Sequence, residues 1–126
     1  MKEFKLPEGY QTVMPYLILD NAADFFTWTK KVFDAKEKMR YNTEDGSFMH
    51  GEVMIGGSTI MFGSASDQWG VQNAGLYINV PDADEKFRLA LDNGATVVME
   101  MSDQSYGRTG GVRDPFGNTW WITTPA

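Results

Sequence analysis

The chain has no cysteine and a single histidine, His50. The first absence excludes disulfide frameworks, thiol catalysis and thiolate metal sites together. The second leaves a serine triad without support, because serines such as Ser58, Ser64 and Ser66 stand in turns with one histidine to share. Nothing approaches the run of about 18 apolar residues that a membrane-spanning helix needs. The start, Met1-Lys2-Glu3-Phe4-Lys5-Leu6-Pro7, lacks the apolar stretch of a secretion signal, so a cytoplasmic location is expected. Basic residues are outnumbered, 11 against 17 acidic, and the formal charge is -6. Phosphate contacts need clustered cations, which here come singly or in short groups such as Lys30-Lys31. Neither nucleic acid nor a membrane is an expected partner.

What the chain does have is core-forming material. Hydrophobic residues make up 42% of its 126 positions and aromatics 13%, which suits one globular domain over residues 1–126. Thr12 to Leu19 is a short apolar run read as a strand. Asp20 or Asn21 can cap the helix that follows, in which Ala22, Phe25, Phe26, Thr29, Val32 and Phe33 recur at helical spacing. The order then repeats. Gly75 to Val80 reads as a strand, and Asp82 with Glu85 reads as a capping box. Ala83, Phe87, Ala90 and Leu91 form the second stripe, and Asn93-Gly94 stops it. Each helix is followed by three strand-like segments: Glu37 to Tyr41, Phe48 to Ile55 and Thr59 to Phe62, then Thr96 to Met101, Gly110 to Arg113 and Thr119 to Thr123. Gly56-Gly57-Ser58 and Asp114-Pro115-Phe116-Gly117-Asn118 supply matching turns. This is an α+β fold of two tandem β-α-β-β-β modules, about 10–63 and 74–124, joined by the polar stretch Gly63 to Asn73.

A sheet covered by a helix on one face leaves its other face for function, and strand alternation assigns the residues. Leu76, Ile78 and Val80 suit the helix side, leaving Gly75, Tyr77 and Asn79 open. Met49, Val53 and Ile55 likewise suit the helix side, leaving Phe48, His50 and Glu52 open. Open faces that curve toward each other would enclose a cleft.

Several segments resemble the glyoxalase/bleomycin-resistance (vicinal oxygen chelate) superfamily. They are Pro15-Tyr16-Leu17-Ile18-Leu19-Asp20, Phe33-Asp34-Ala35, Met49-His50-Gly51-Glu52, Tyr106-Gly107-Arg108, and Val112 to Trp121 with its Asp-Pro-Phe-Gly-Asn turn. The resemblance runs from about Gly9 to Thr124. It implies paired modules, U-shaped mixed sheets with a central cleft, and a homodimer. The family's enzymes chelate a divalent metal through four inward-facing residues, and the matching positions here are Val13, Met61, Gly75 and Trp121. None offers an oxygen or nitrogen ligand, so the metal mechanisms of glyoxalase I and ring-cleaving dioxygenases are not expected, nor is any other cofactor.

The remaining chemistry is sparse. His50 and Glu52 share a strand face, which suits a base oriented by a carboxylate and equally a cavity histidine with its hydrogen bonds satisfied. Gly107-Arg108-Thr109-Gly110-Gly111 reads either as an anion-wrapping segment or as a flexible loop entering a strand, with Arg108 placed to meet an anionic ligand. Trp121, Tyr77 and Trp69 offer stacking surface, Met61 an adaptable wall, and His50, Glu52, Asn79 and Arg108 polar points. The leading expectation is metal-free binding or sequestration of a small apolar or aromatic compound. Three readings compete: a lyase or isomerase using His50 and Glu52 with or without an atypical metal, a cleft collapsed on its own side chains, and an interaction module.

Overall fold

The strand-helix-strand order is realised twice. Among residues 3–126, which the computed structural model describes, the first half runs β1 (Tyr16–Leu19), α1 (Asp24–Phe33), β2 (Lys36–Asn42), β3 (Phe48–Ile55) and β4 (Ser58–Ser64). The second runs β5 (Gly75–Asn79), α2 (Ala83–Asp92), β6 (Thr96–Gln104), β7 (Gly107–Arg113) and β8 (Thr119–Pro125). Met1 and Lys2, which open the segment read for a secretion signal, lie outside the described residues. Each half forms its own four-stranded mixed sheet, ordered β1-β4-β3-β2 and β5-β8-β7-β6. The β1-β4 and β5-β8 pairs are parallel and the hairpins antiparallel, as the duplicated pattern requires.

α1 begins later than its polar flank suggests. Asn21 adopts a positive φ of 53° in a turn whose carbonyl accepts from the Asp24 N–H at 3.0 Å, and Ala23 precedes the helix without a side-chain cap. The left-handed tolerance of asparagine is spent on that turn rather than on a cap. Asp34 closes the helix at φ 59°, its N–H returning to the Lys30 carbonyl at 3.1 Å. α2 starts as its capping residues require, with the Asp82 side chain accepting from the Glu85 N–H at 3.1 Å.

The buried stripe of α1 is wider than the spacing alone indicated, because Trp28 is buried too. α1 is packed from two sides. Phe25 meets Phe62 of β4 edge-on at 4.9 Å, and Phe33 lies 4.7 Å from Trp120 of β8. Trp28 donates its indole N–H to the Asn93 carbonyl at the end of α2, at 3.1 Å. Aromatic side chains thus tie both sheets and both helices into one core, and truncating Trp120 to alanine would cost about 3–5 kcal/mol. The inner faces of the two sheets meet this shared core, which leaves the other face of each sheet open.

Three local expectations need correction. β1 starts at Tyr16, not Thr12, because Pro15 has no N–H for the ladder and contributes only its carbonyl, to the Met61 N–H at 3.0 Å. Phe48 and Met49 exchange faces. His50 pairs with Tyr41 and Phe48 with Asn42, so Met49 is an extra residue that reverses the alternation. Phe48 therefore packs on Phe26 and Phe62, and Met49 is exposed. Finally, Gly107 to Gly111 is β7 itself, paired along β8, not a flexible loop. Its glycines answer to packing: a Cβ on Gly110 would lie 2.4 Å from the Met101 sulfur, and one on Gly111 2.5 Å from the Trp121 ring.

The turn 114–118 is built around one carboxylate. Asp114, buried, accepts from the N–H groups of Phe116 and Asn118 at 2.9 Å each, from the Asn118 amide at 2.9 Å and from the Trp120 indole at 2.8 Å. Asn118 in turn accepts from the Ala74 N–H at 3.1 Å, tying the turn to the entrance of β5.

Candidate functional site

The open face of the first sheet carries most of the chain's unusual side chains. Register sets Tyr16, Met61 and Glu52 on one rung of β1, β4 and β3, and Ile18, Gly63 and His50 on the next. A Cβ on Gly63 would press on the Met49 carbonyl oxygen at 3.0 Å and reach the Tyr16 hydroxyl at 3.4 Å. Tyr16 lies against His50 with ring centroids 5.4 Å apart, and its hydroxyl is 3.1 Å from His50 Nδ1.

Behind them the segment before β1 is fastened to the sheet. The Gln11 amide brackets Thr59, donating to its carbonyl at 2.8 Å and accepting from its N–H at 3.2 Å. The Thr59 hydroxyl donates to the Gly9 carbonyl at 2.7 Å. Between these anchors Tyr10 reaches Glu52 and donates to both carboxylate oxygens at 2.8 Å. His50 Nε2 is 3.3 Å from the same carboxylate. The result is a continuous polar chain, Tyr10, Glu52, His50, Tyr16. Glu52 is 1% exposed, so its charge is tolerable only because it is hydrogen-bonded. The Tyr10 phenol is pushed above its ordinary pKa of 10.0, first by that hydrogen bond, then by burial and the carboxylate charge.

In front of the chain opens a cavity of about 1010 Å³. Tyr16, Met39, Tyr41, Phe48, Met49 and Trp69 make its apolar wall. Five of these six are exposed, Trp69 at 58%. Trp69 is held at the rim by Ser66, whose N–H donates to the Trp69 carbonyl at 2.8 Å and whose hydroxyl oxygen accepts from the Trp69 N–H at 3.1 Å. Arg40, also on the wall, is turned to Glu37 at 2.8 Å and lies 4.1 Å over the Phe26 ring.

Of the expected residues, His50 and Trp69 line the cavity, and Glu52 meets His50 from behind. Met61 lies half-buried on the Tyr16–Glu52 rung. Tyr77 and Asn79 border a smaller cleft of about 610 Å³ between the two halves, with Val13 and Pro15 across from them. Trp121 pairs with Tyr77 on the open face of the second sheet, its ring over Gly111. Leu17, next to Tyr16 on β1, is in the core. Arg108 is committed to Asp84 through two N–H groups at 3.1 Å and to Asp103 at 3.3 Å. This pairing, with Asp84 foremost, raises its pKa and lowers that of Asp84. The residues that sequence reasoning passed over are Tyr10, Tyr16 and Tyr41. Tyr10 precedes the first strand, where no periodicity marks a face, and Tyr41 lies on an edge strand that is almost wholly exposed.

With this geometry in hand, similarity to known proteins becomes informative. A family model of the Glyoxalase/Bleomycin resistance protein/Dioxygenase superfamily matches residues 12–122. The chain belongs to this superfamily. An uncharacterized protein of Mycobacterium bovis, Mb0911c, is 36% identical over 123 residues, covering 88% of this chain and 81% of that one. Among solved structures, TioX from Micromonospora sp. ML1 superposes with a TM-score of 0.73 at 23% identity, over 92% of this chain and 99% of that one. TnmS3, an antibiotic binding protein from Streptomyces sp. CB03234, gives 0.70 at 14% identity, over 90% and 93%. At these identities the two structures share the fold.

The four positions that the resemblance matches to the superfamily's metal ligands do not fit a metal here. Val13, Met61, Gly75 and Trp121 provide no oxygen or nitrogen side-chain ligand. Val13 is 82% exposed, and the four positions are divided between the two halves. Among the described residues no group of three or more histidines and carboxylates gathers that would hold an ion. No helix among them is long and apolar enough to cross a membrane.

Proposed function

We propose that this superfamily member binds a small, largely apolar, planar compound on the open face of its first sheet, without a metal. One observation carries the reading: five large apolar side chains are left in water around a cavity of ligand size, at whose floor the polar groups are already paired. Exposing Tyr16, Met39, Tyr41, Met49 and Trp69 together is costly for a surface with no occupant. An apolar pocket with few convergent polar groups is the usual form of a small-molecule site. The antibiotic binding role of the similarly folded TnmS3 supports the same class of function.

A homodimer, as the superfamily resemblance implies, extends the proposal to the second sheet. The second sheet leaves Tyr77 and Asn79 exposed, beside Trp121. In a pair of chains this face closes over the partner's first sheet, so that both sets of expected ligand-binding residues meet across the interface. Arg108, held by two aspartates, remains outside the guest's reach.

The rival, a lyase or isomerase using His50 and Glu52, meets an obstacle. Both nitrogens of His50 are already engaged and Glu52 is buried, so proton transfer first requires a bond in the chain to open. Tryptophan fluorescence titration with planar aromatic and bleomycin-type compounds tests the binding reading. Saturable quenching that disappears in Trp69→Phe is expected. Quenching by none of them, together with stoichiometric metal lost in His50→Ala, would establish the rival instead.

A further inference from the structure

We propose that the guest of the first-sheet cleft presents a hydrogen-bond donor, best a protonated ring nitrogen or amine, to Tyr16, whose own hydroxyl hydrogen is committed to His50. This rests on the binding reading above and names the ligand class for that site.

The order of protons along the buried chain leads to it. The Tyr10 hydroxyl lies 2.8 Å from both Glu52 oxygens, and an ionised Glu52 can only accept. The hydrogen of the imidazole therefore resides on Nε2, facing Glu52. With that hydrogen on Nε2 and the ring uncharged, Nδ1 accepts from the Tyr16 hydroxyl 3.1 Å away. Tyr16 then turns only lone pairs toward the cleft. Neighbouring hydroxyls are spent in the same way: Ser64 donates to the Phe48 carbonyl at 2.7 Å, and Thr43 to Asp45. Rim groups on Tyr41, Ser66, Gln68 and Trp69 lie in water; Tyr16 is itself half exposed, but its hydroxyl is oriented beforehand by His50.

Charge points the same way. Arg40, the cation on the wall, is held by Glu37 through Nε and Nη2 and covers Phe26. Beneath His50 the Glu52 carboxyl group is met by a phenol and an imidazole and, among the described residues, by no ammonium or guanidinium. Screening is weak at a carboxylate this deeply buried. The faces of Tyr16, Tyr41 and Trp69 add the electron-rich surface that a flat cation prefers. An anionic guest would meet the Glu52 charge and the lone pairs of Tyr16.

Three acridines of nearly equal shape separate these terms at mildly alkaline pH: 9-aminoacridine, a cation with N–H groups; acridine, neutral without one; and acridine-9-carboxylate, an anion. The expected order is 9-aminoacridine tighter than acridine by about tenfold, with the carboxylate weakest. Tyr16→Phe should weaken 9-aminoacridine by about tenfold and leave acridine unchanged. Glu52→Gln should reverse the preference toward the carboxylate. A carboxamide donates to Nε2, moves the imidazole hydrogen to Nδ1 and frees the Tyr16 hydroxyl to donate. Saturable but equal binding of all three, or a Tyr16→Phe protein with the preference intact, overturns the proposal and leaves the binding reading standing. Saturable binding of none overturns both. Where Glu52→Gln fails to fold, the Tyr16→Phe comparison decides alone.

Discussion

Tyr10 shows how much one hydroxyl can carry. It supplies two contacts to a carboxylate that is otherwise closed off from water, and Tyr10→Phe removes both. The expected loss is about 2 kcal/mol, since a buried charged acceptor left short of a donor pays its desolvation, and urea unfolding reads it directly. The linkage has a definite sign. A phenol whose folded pKa lies above 10.0 contributes stability that is fully present below that value and lost as pH rises through the folded pKa. Wild type should therefore lose stability in strong alkali more steeply than Tyr10→Phe. Asp114 is the comparable residue in the second half. Asp114→Ala leaves four N–H groups without their acceptor and should cost about 3 kcal/mol or more, a loss that thermal unfolding would register. The Asp-Pro-Phe-Gly-Asn segment that marks the superfamily is in this chain a folding device. Its conspicuous residues bind each other and the entrance of β5.

Elements were legible wherever a period was. Both helices, all eight strands and the two turns with glycine follow from apolar spacing and from residues that tolerate positive φ, such as Gly56 at 58° and Gly117 at 98°. Ends and faces were less legible, for physical reasons. The bulge at Met49 shifts alternation by one residue, and nothing in Phe48-Met49-His50 announces it. Gly107 to Gly111 looks like a loop by composition, yet its lack of side chains is what lets Met101 and Trp121 lie on the strand. Of the candidate site, His50 and Glu52 on one face and Trp69 at the joint were readable. The tyrosines that complete it were not, because Tyr10 is fixed by side-chain bonds from a segment without repeat. The hairpin between β2 and β3, which borders the cleft, yields its own prediction. The Thr43 hydroxyl and Ser47 N–H bonds hold Asp45 at about 2. Its contribution to the turn is present above the ordinary carboxylate pKa of 3.8 and is lost as pH falls through about 2. An NMR titration that finds Asp45 ionising at the ordinary value would remove the turn's support.

At the scale of the whole molecule, duplication gives two sheets that share one helical core and leave two open faces. In the proposed dimer each chain would contribute half of the binding surface from each open face. The expected ligand residues are divided accordingly, with His50 and Glu52 on the first sheet beside Trp69 of the joint, and Tyr77 and Trp121 on the second. Sedimentation equilibrium should find a dimer, and charge introduced by Tyr77→Glu should dissociate it while far-ultraviolet circular dichroism stays unchanged. A monomer at all concentrations would leave the second sheet's aromatic residues without a role in binding. The central claim concerns the first sheet, and amide shift mapping tests it most directly. Chelator-treated, nitrogen-15-labelled protein is titrated with a planar aromatic compound. The account predicts saturable shifts gathered at Tyr16, Tyr41, Met49, His50 and Trp69. Shifts that gather on another surface, or that arise only after a divalent cation is restored, would contradict it.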